Sequence, residues 1–188
     1  MKEKNKKIIV FDTGPIISLA LNNLLWILKQ LKHKFKGNFY IVPAVKKELI
    51  DVPLATKKFK FEALQVMKEI RDNTLQVYDK PWLNNKAIEI MDIANSIYYA
   101  RKKALQIVHF GEIETIAAAA SDNCKAVVID ERTTRLLIEN PSALANTISK
   151  RIHSNVKINN NALKKFKAIA PKTKIIRSTE LAIIAYEY

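Results

Sequence analysis

The sequence predicts an α/β fold built on a parallel, doubly wound sheet with helices on both faces. Three observations predict it. Five short apolar runs have strand length, stretches of helical period lie between them, and two of the runs end in acids, Asp12 and Asp130. In open sheets of this kind ligands bind at the carboxyl edge of the strands, where the strand order reverses. With a strand order of 3-2-1-4-5, the first and fourth strands are neighbours. Asp12 and Asp130 then face each other across that crevice.

The elements follow in order. Lys7–Phe11 is a buried strand, closed by Asp12 and the turn Thr13-Gly14-Pro15. Ile16–Phe35 places Ile17, Leu21, Leu24, Leu28 and Leu31 at helical spacing and reads as one helix. Phe39–Val42 is the second strand, and Pro43 opens a helix through Leu49. Ala55–Ile70 is helical, Leu75–Tyr78 the third strand, and Ala87–Ala104 another helix. Glu112–Ser121 is a short helix rich in alanine, before the fourth strand Ala126–Ile129. Ser142–Lys150 and Asn161–Ala168 are helices in a basic region. Lys174–Arg177 is the fifth strand, and Thr179–Glu187 closes the chain with Ser178 or Thr179 as its cap. The 188 residues suit one domain, with helical elaborations at about 51–106 and 141–171.

Composition narrows the function classes. No uncharged apolar stretch is long enough to span a bilayer, and the N-terminus lacks the apolar core of a signal peptide. A single cysteine, Cys124, excludes an internal disulfide framework and suits a cytoplasmic protein. The net charge is +14, and no acid occurs between Glu139 and Glu180. Lys150 and Arg151 belong to that basic tract. Such an excess favours polyanions, chiefly nucleic acid, although a solvated basic face is the plainer explanation.

The acids carry the chemistry. Asp12 and Asp130 taken singly suit helix caps. Glu48 lies between one and two turns after Pro43, near the same sheet edge. In His109-Phe110-Gly111-Glu112-Ile113-Glu114 and its alanine run, Glu114 shares a helical face with Ala117 and Ala118. Alanines let that face pack close to the sheet, which favours Glu114 over Glu112 as the central carboxylate. Glu112 reaches the site only from the first turn, or serves the helix dipole. Carboxylates crowded into one crevice repel unless hard divalent cations such as Mg²⁺ or Mn²⁺ neutralise them. With a basic surface, that points to phosphodiester hydrolysis.

Four blocks, in order, carry a resemblance to the PIN-domain ribonucleases. They are Phe11-Asp12-Thr13-Gly14-Pro15 with Ser18-Leu19, Val42-Pro43-Ala44-Val45 with Glu48-Leu49, Gly111-Glu112-Ile113-Glu114, and Val127-Val128-Ile129-Asp130-Glu131-Arg132. They look most like an archaeal and bacterial subgroup of uncharacterised PIN proteins. The resemblance implies a PIN-like, Rossmann-like three-layer α/β/α sandwich with a mostly parallel five-stranded sheet and inserted helices. It implies a Mg²⁺- or Mn²⁺-dependent endoribonuclease with Asp12, Glu48, Glu114 and Asp130 as catalytic acids. Asp12, Glu114, Asp130 and Glu131 are the expected metal ligands. Thr13, Ser18, Arg132, Lys150 and Arg151 are the expected contacts to RNA. A homodimer and an antitoxin-like protein partner are further expectations. The long middle and the basic tract favour processing of structured RNA over a minimal toxin.

Other readings are weaker. A haloacid-type phosphatase needs a second Asp where Gly14 stands, and no phosphate-binding glycine loop occurs. His33, His109 and His153 have no metal-ligand spacing, and Trp26 and Trp82 read as packing residues. Tyr98-Tyr99 beside Arg101-Lys102-Lys103 reads as a partly buried helix end rather than a base-stacking platform. The main rival to a nuclease is a catalytically inactive PIN-like scaffold for RNA binding or assembly.

Overall fold

The computed structural model of the chain describes residues 7–56, 58–120 and 124–187. Its centre is β1 (Ile8–Phe11), whose four residues are all buried. An apolar run with no polar alternation is what a strand covered on both faces requires. β1 pairs in parallel with β2 (Asn38–Ile41) on one side and with β6 (Cys124–Val128) on the other. β3 (Gln76–Val77) extends the sheet beyond β2, and β8 (Lys174–Ile176) extends it beyond β6. The order β3-β2-β1-β6-β8 is the expected 3-2-1-4-5, and every ladder of this five-stranded sheet is parallel. The sheet and its flanking helices form the three-layer α/β/α sandwich that the sequence predicts.

Several helices differ from expectation for local reasons. The stretch 16–35 is two helices, α1 (Thr13–Leu21) and α2 (Trp26–Phe35). The break falls at Asn22-Asn23, where Asn23 takes a positive φ of 54°. Asparagine tolerates the left-handed region better than most residues. After β2 come α3 (Pro43–Lys46), a π-helical stretch over Lys47–Asp51, and α4 (Val52–Ala55). α5 (Lys60–Arg71) then packs on the π-helical stretch and on α1. α6 (Leu83–Ala94) ends ten residues before the expected Ala104.

The chain beyond α6 forms strands instead. β4 (Tyr98–Ala100) and β5 (Lys103–Ala104) make a hairpin whose turn, Arg101-Lys102, has two positive φ angles. β7 (Lys157–Ile158) joins β4 on its other side. Tyr98 is fully buried there, and its hydroxyl donates to the Pro141 carbonyl at 3.0 Å. Trp26 and Trp82, expected as core or helix-packing residues, are 55% and 43% exposed.

α7 (Phe110–Ala119) runs against β1, β6, α3 and α6, with its alanines buried. α8 (Arg132–Glu139) was not anticipated, and α9 (Pro141–Ile152), α10 (Asn160–Ile169) and α11 (Ser178–Tyr186) complete the chain. The N-cap of α11 is Arg177, one residue earlier than expected. Glu180 accepts from its backbone amide at 2.9 Å and from its guanidinium at 3.0 Å. Among the described residues, no helix is long and apolar enough to cross a membrane.

The turn into β2 tests the packing. A Cβ on Gly37 would lie 2.3 Å from the Lys7 carbonyl oxygen and 2.4 Å from the Phe35 ring. The Lys7 carbonyl already accepts the Asn38 amide at 2.9 Å, so it cannot retreat freely. Gly37→Ala is expected to cost about 1–3 kcal/mol, read as a lower urea midpoint at unchanged slope.

Candidate active site at the carboxyl edge

Asp12 follows the last residue of β1, and its backbone amide donates to the Val128 carbonyl at 3.0 Å. The exit of β1 is thereby tied to β6. Its carboxyl is 5% exposed and makes no side-chain capping bond to α1. Burial raises its pKa to about 7; the Thr13 and Gly14 amides pull the other way, and the charges of Glu112 and Glu48 push it further up.

Asp130 follows β6, the neighbouring strand. A point where Gly14 would carry a Cβ lies 3.5 Å from the Asp130 Cβ and 3.9 Å from Asp12 Oδ2. The Asp12 carboxyl and the Asp130 side chain therefore both border Gly14, on the neighbouring strand ends that the strand order brings together. Asp130 does not cap α8, the helix that follows it. Its Oδ1 accepts the Ser178 amide at 2.7 Å, the first residue of α11, and its Oδ2 accepts the Ser18 hydroxyl at 3.1 Å. Glu131 caps α8 instead, accepting the Thr133 amide at 2.9 Å. That bond, assisted by the charges of His109 and Arg135, lowers the Glu131 pKa.

Glu48 sits in the π-helical stretch. Its Oε2 accepts the Thr13 hydroxyl at 2.5 Å, and its Oε1 lies 2.9 Å from where Gly111 would carry a Cβ. Gly111 thus leaves room for this carboxylate. π-helical turns are frequent at functional sites, because the extra residue re-aims a side chain.

The two acids of α7 divide the work. Glu112 Oε2 accepts the His109 amide at 3.1 Å and the Thr134 hydroxyl at 2.8 Å, and burial raises its pKa. Its charge acts on Asp12. Glu114 is 3% exposed and accepts the Ala44 amide at 2.7 Å. Ala44 is in the first turn of α3, whose own cap, Val42, has no side-chain oxygen. Glu114 therefore supplies the missing acceptor at the positive end of that helix. Burial raises its pKa, as does the charge of Asp79.

The structure brings Asp12, Asp130, Glu48, Glu112 and Thr13 into one neighbourhood, with Ser18 and Glu131 at its side. Glu114 stands toward Ala44 and Asp79. Arg132 is exposed at the start of α8. Lys150 and Arg151 are exposed in the last turn of α9, which packs on α8 and β7. Two participants were missed. Thr134 gives no sequence signal. Asp79 did give one, because the third apolar run, Leu75–Tyr78, also ends in an acid.

A buried carboxyl set between further carboxylates suits a hard divalent cation by donor chemistry. Among the described residues, no three His, Cys, Asp or Glu side chains converge to hold one as they stand. The fold and this cluster define an α/β/α sandwich with acids at the switch point of its sheet. Residues 8–142 match the pattern of a family described as a PIN domain, and the chain belongs to that family. The PIN fold is a nuclease-type fold. No curated protein and no solved structure matches the chain.

Two predictions follow from the geometry. The folded pKa of Asp12, about 7, exceeds its ordinary 3.8, so the native state holds the extra proton between those values. Stability of the metal-free protein should fall as pH rises from about 4 to about 7, by at most about 4 kcal/mol from this group. Asp12→Asn should flatten that slope in urea titrations; an unchanged slope would refute the shift. Gly111→Ala should displace the Glu48 carboxylate while shifting the melting temperature little, visible as a crystallographic movement of Glu48 away from Thr13.

Proposed function

We propose that this chain is a metal-dependent endoribonuclease that hydrolyses phosphodiester bonds of RNA, in RNA processing or as a toxin-like nuclease. Asp12 carries the proposal. A carboxyl this buried, with its pKa near 7, is costly to keep ionised unless a cation offsets it. It sits where open α/β sheets bind their ligands, on a chain of net charge +14.

Asp12 and Asp130 would hold Mg²⁺ or Mn²⁺, with Glu48 and Glu112 within the same neighbourhood. Such an ion supplies an activated water and neutralises charge on the phosphate. The chain's own groups provide the positioning. Thr13 holds Glu48, Ser18 and the Ser178 amide hold Asp130, and Thr134 holds Glu112. Glu114 anchors the start of α3 and so the π-helical stretch that carries Glu48. Arg132 and the lysine-rich surface offer phosphate contacts.

A second reading, an inactive RNA-binding scaffold, draws on one observation. Glu114 and Asp130 both spend oxygens capping helices. The two readings separate experimentally. With Mn²⁺ or Mg²⁺ and a panel of single-stranded and structured RNAs, the wild type should cleave and Asp12→Asn should fall to background while still binding RNA. Binding without cleavage by the wild type favours the scaffold, and equal cleavage by both proteins removes Asp12 from the chemistry.

A further inference from the structure

A cleft of about 630 Å³ opens between the C-terminal half of α2 and the edge of the sheet at β2 and β3. Lys29, Lys32, His33 and Lys36 line it together with Tyr40 and Gln76, and Asp72 is the one acid among the described residues there. Lys29 and Lys32 recur at helical spacing and so share one face of α2, and Lys36 is the left-handed cap that follows its last residue. Cations near a helix C-terminus favour the dipole, which accounts for Lys32 and Lys36. Lys29 lies earlier in the helix, outside that effect.

Tyr40 connects the cleft to the site. Its ring centroid is 5.3 Å from that of Tyr78, which is 6.2 Å from that of Trp82, both in edge-on arrangements. Lys80 Nζ stands 5.8 Å over the Tyr78 ring. Tyr78 follows β3 at the carboxyl edge, and its amide donates to the Ile41 carbonyl, directly before the turn into α3. Asp79, the next residue, is the acid whose charge reaches Glu114. Trp82 is 43% exposed, an unusual position for the largest aromatic side chain.

An unpaired polynucleotide strand needs aromatic rings on which its bases stack and cations for its phosphates, and the file of rings that leads away from the cleft at Tyr40 has both beside it. We propose that the file Trp82–Tyr78–Tyr40, with Lys80, Lys29 and Lys36, is a track that guides single-stranded RNA between the acids at the carboxyl edge and the lysine cleft. This rests on the nuclease reading and assigns the path of its substrate. It makes Trp82 and the lysines binding residues that touch no reacting atom.

The test uses the full chain in EDTA with a short, unstructured, fluorescein-labelled oligoribonucleotide. Trp82→Ala is expected to weaken binding about tenfold. Trp82→Phe should recover most of that loss. Lys29→Glu combined with Lys36→Asn, a residue that accepts the left-handed backbone at position 36, should flatten the salt dependence of log Kd by roughly 1.4. In a Trp26→Phe background, saturating RNA should quench the emission of Trp82, a readout that does not depend on Trp82 variants folding. RNA binding that leaves Trp82 emission and the substituted affinities unchanged overturns the track alone. Failure of the wild type to bind RNA in EDTA overturns the track, whereas the nuclease reading falls only if cleavage with Mn²⁺ or Mg²⁺ is absent as well.

Discussion

Burial of the Asp12 carboxyl is the constraint around which the rest of the structure is arranged. The residue ends the central strand of a fully parallel sheet, between helices that cover both faces. A charge there has little water to solvate it. It must keep its proton or share the crevice with a cation, and the neighbouring acids Glu48 and Glu112 make the first choice stronger when no cation is present. The same placement that penalises folding at neutral pH is the one that would make the site bind a divalent ion tightly.

The other acids show how a cluster of like charges is held in place. Glu114 and Asp130 do not cap the helices they belong to or precede. Each reaches across the fold and accepts an amide at the start of a different helix, Ala44 in α3 and Ser178 in α11. A helix N-terminus is a favourable home for a carboxylate. These two bonds therefore lower the cost of concentrating negative charge and fix the entries of two helices against the sheet edge. Thr13, Ser18 and Thr134 hold further oxygens, so most of the cluster is oriented by the chain itself.

Much of this was legible in the sequence. Strand-length apolar runs ending in Asp12 and Asp130 identify a parallel sheet and its carboxyl edge, and the strand order follows from the fold class. Glu48 was placed by Pro43, which marks the start of its helix. What escaped depended on tertiary partners. The segment 98–104 has helical spacing, yet β4 finds a distant strand, β7, and its positive-φ turn at Arg101-Lys102 carries no glycine to announce it. Spacing on a regular helix pointed Glu114 inward and Glu112 away. Burial agrees for Glu114, and Glu112, held in the first turn by His109 and Thr134, also reaches the site, where its charge acts on Asp12 together with that of Glu48. Trp82 read as a core or helix-packing residue because its size is the only information sequence offers, whereas it stands at the start of α6 and is 43% exposed.

Burial holds the Asp12 carboxyl protonated up to about pH 7, and in the proposed nuclease a divalent cation would release that proton. Carbon-13 chemical-shift titration of the Asp12 carboxyl, with and without Mg²⁺, measures it directly. A midpoint near 7 is expected in the metal-free protein, with a fall toward the ordinary carboxylate range when Mg²⁺ is added. A midpoint near 4 under both conditions would contradict it.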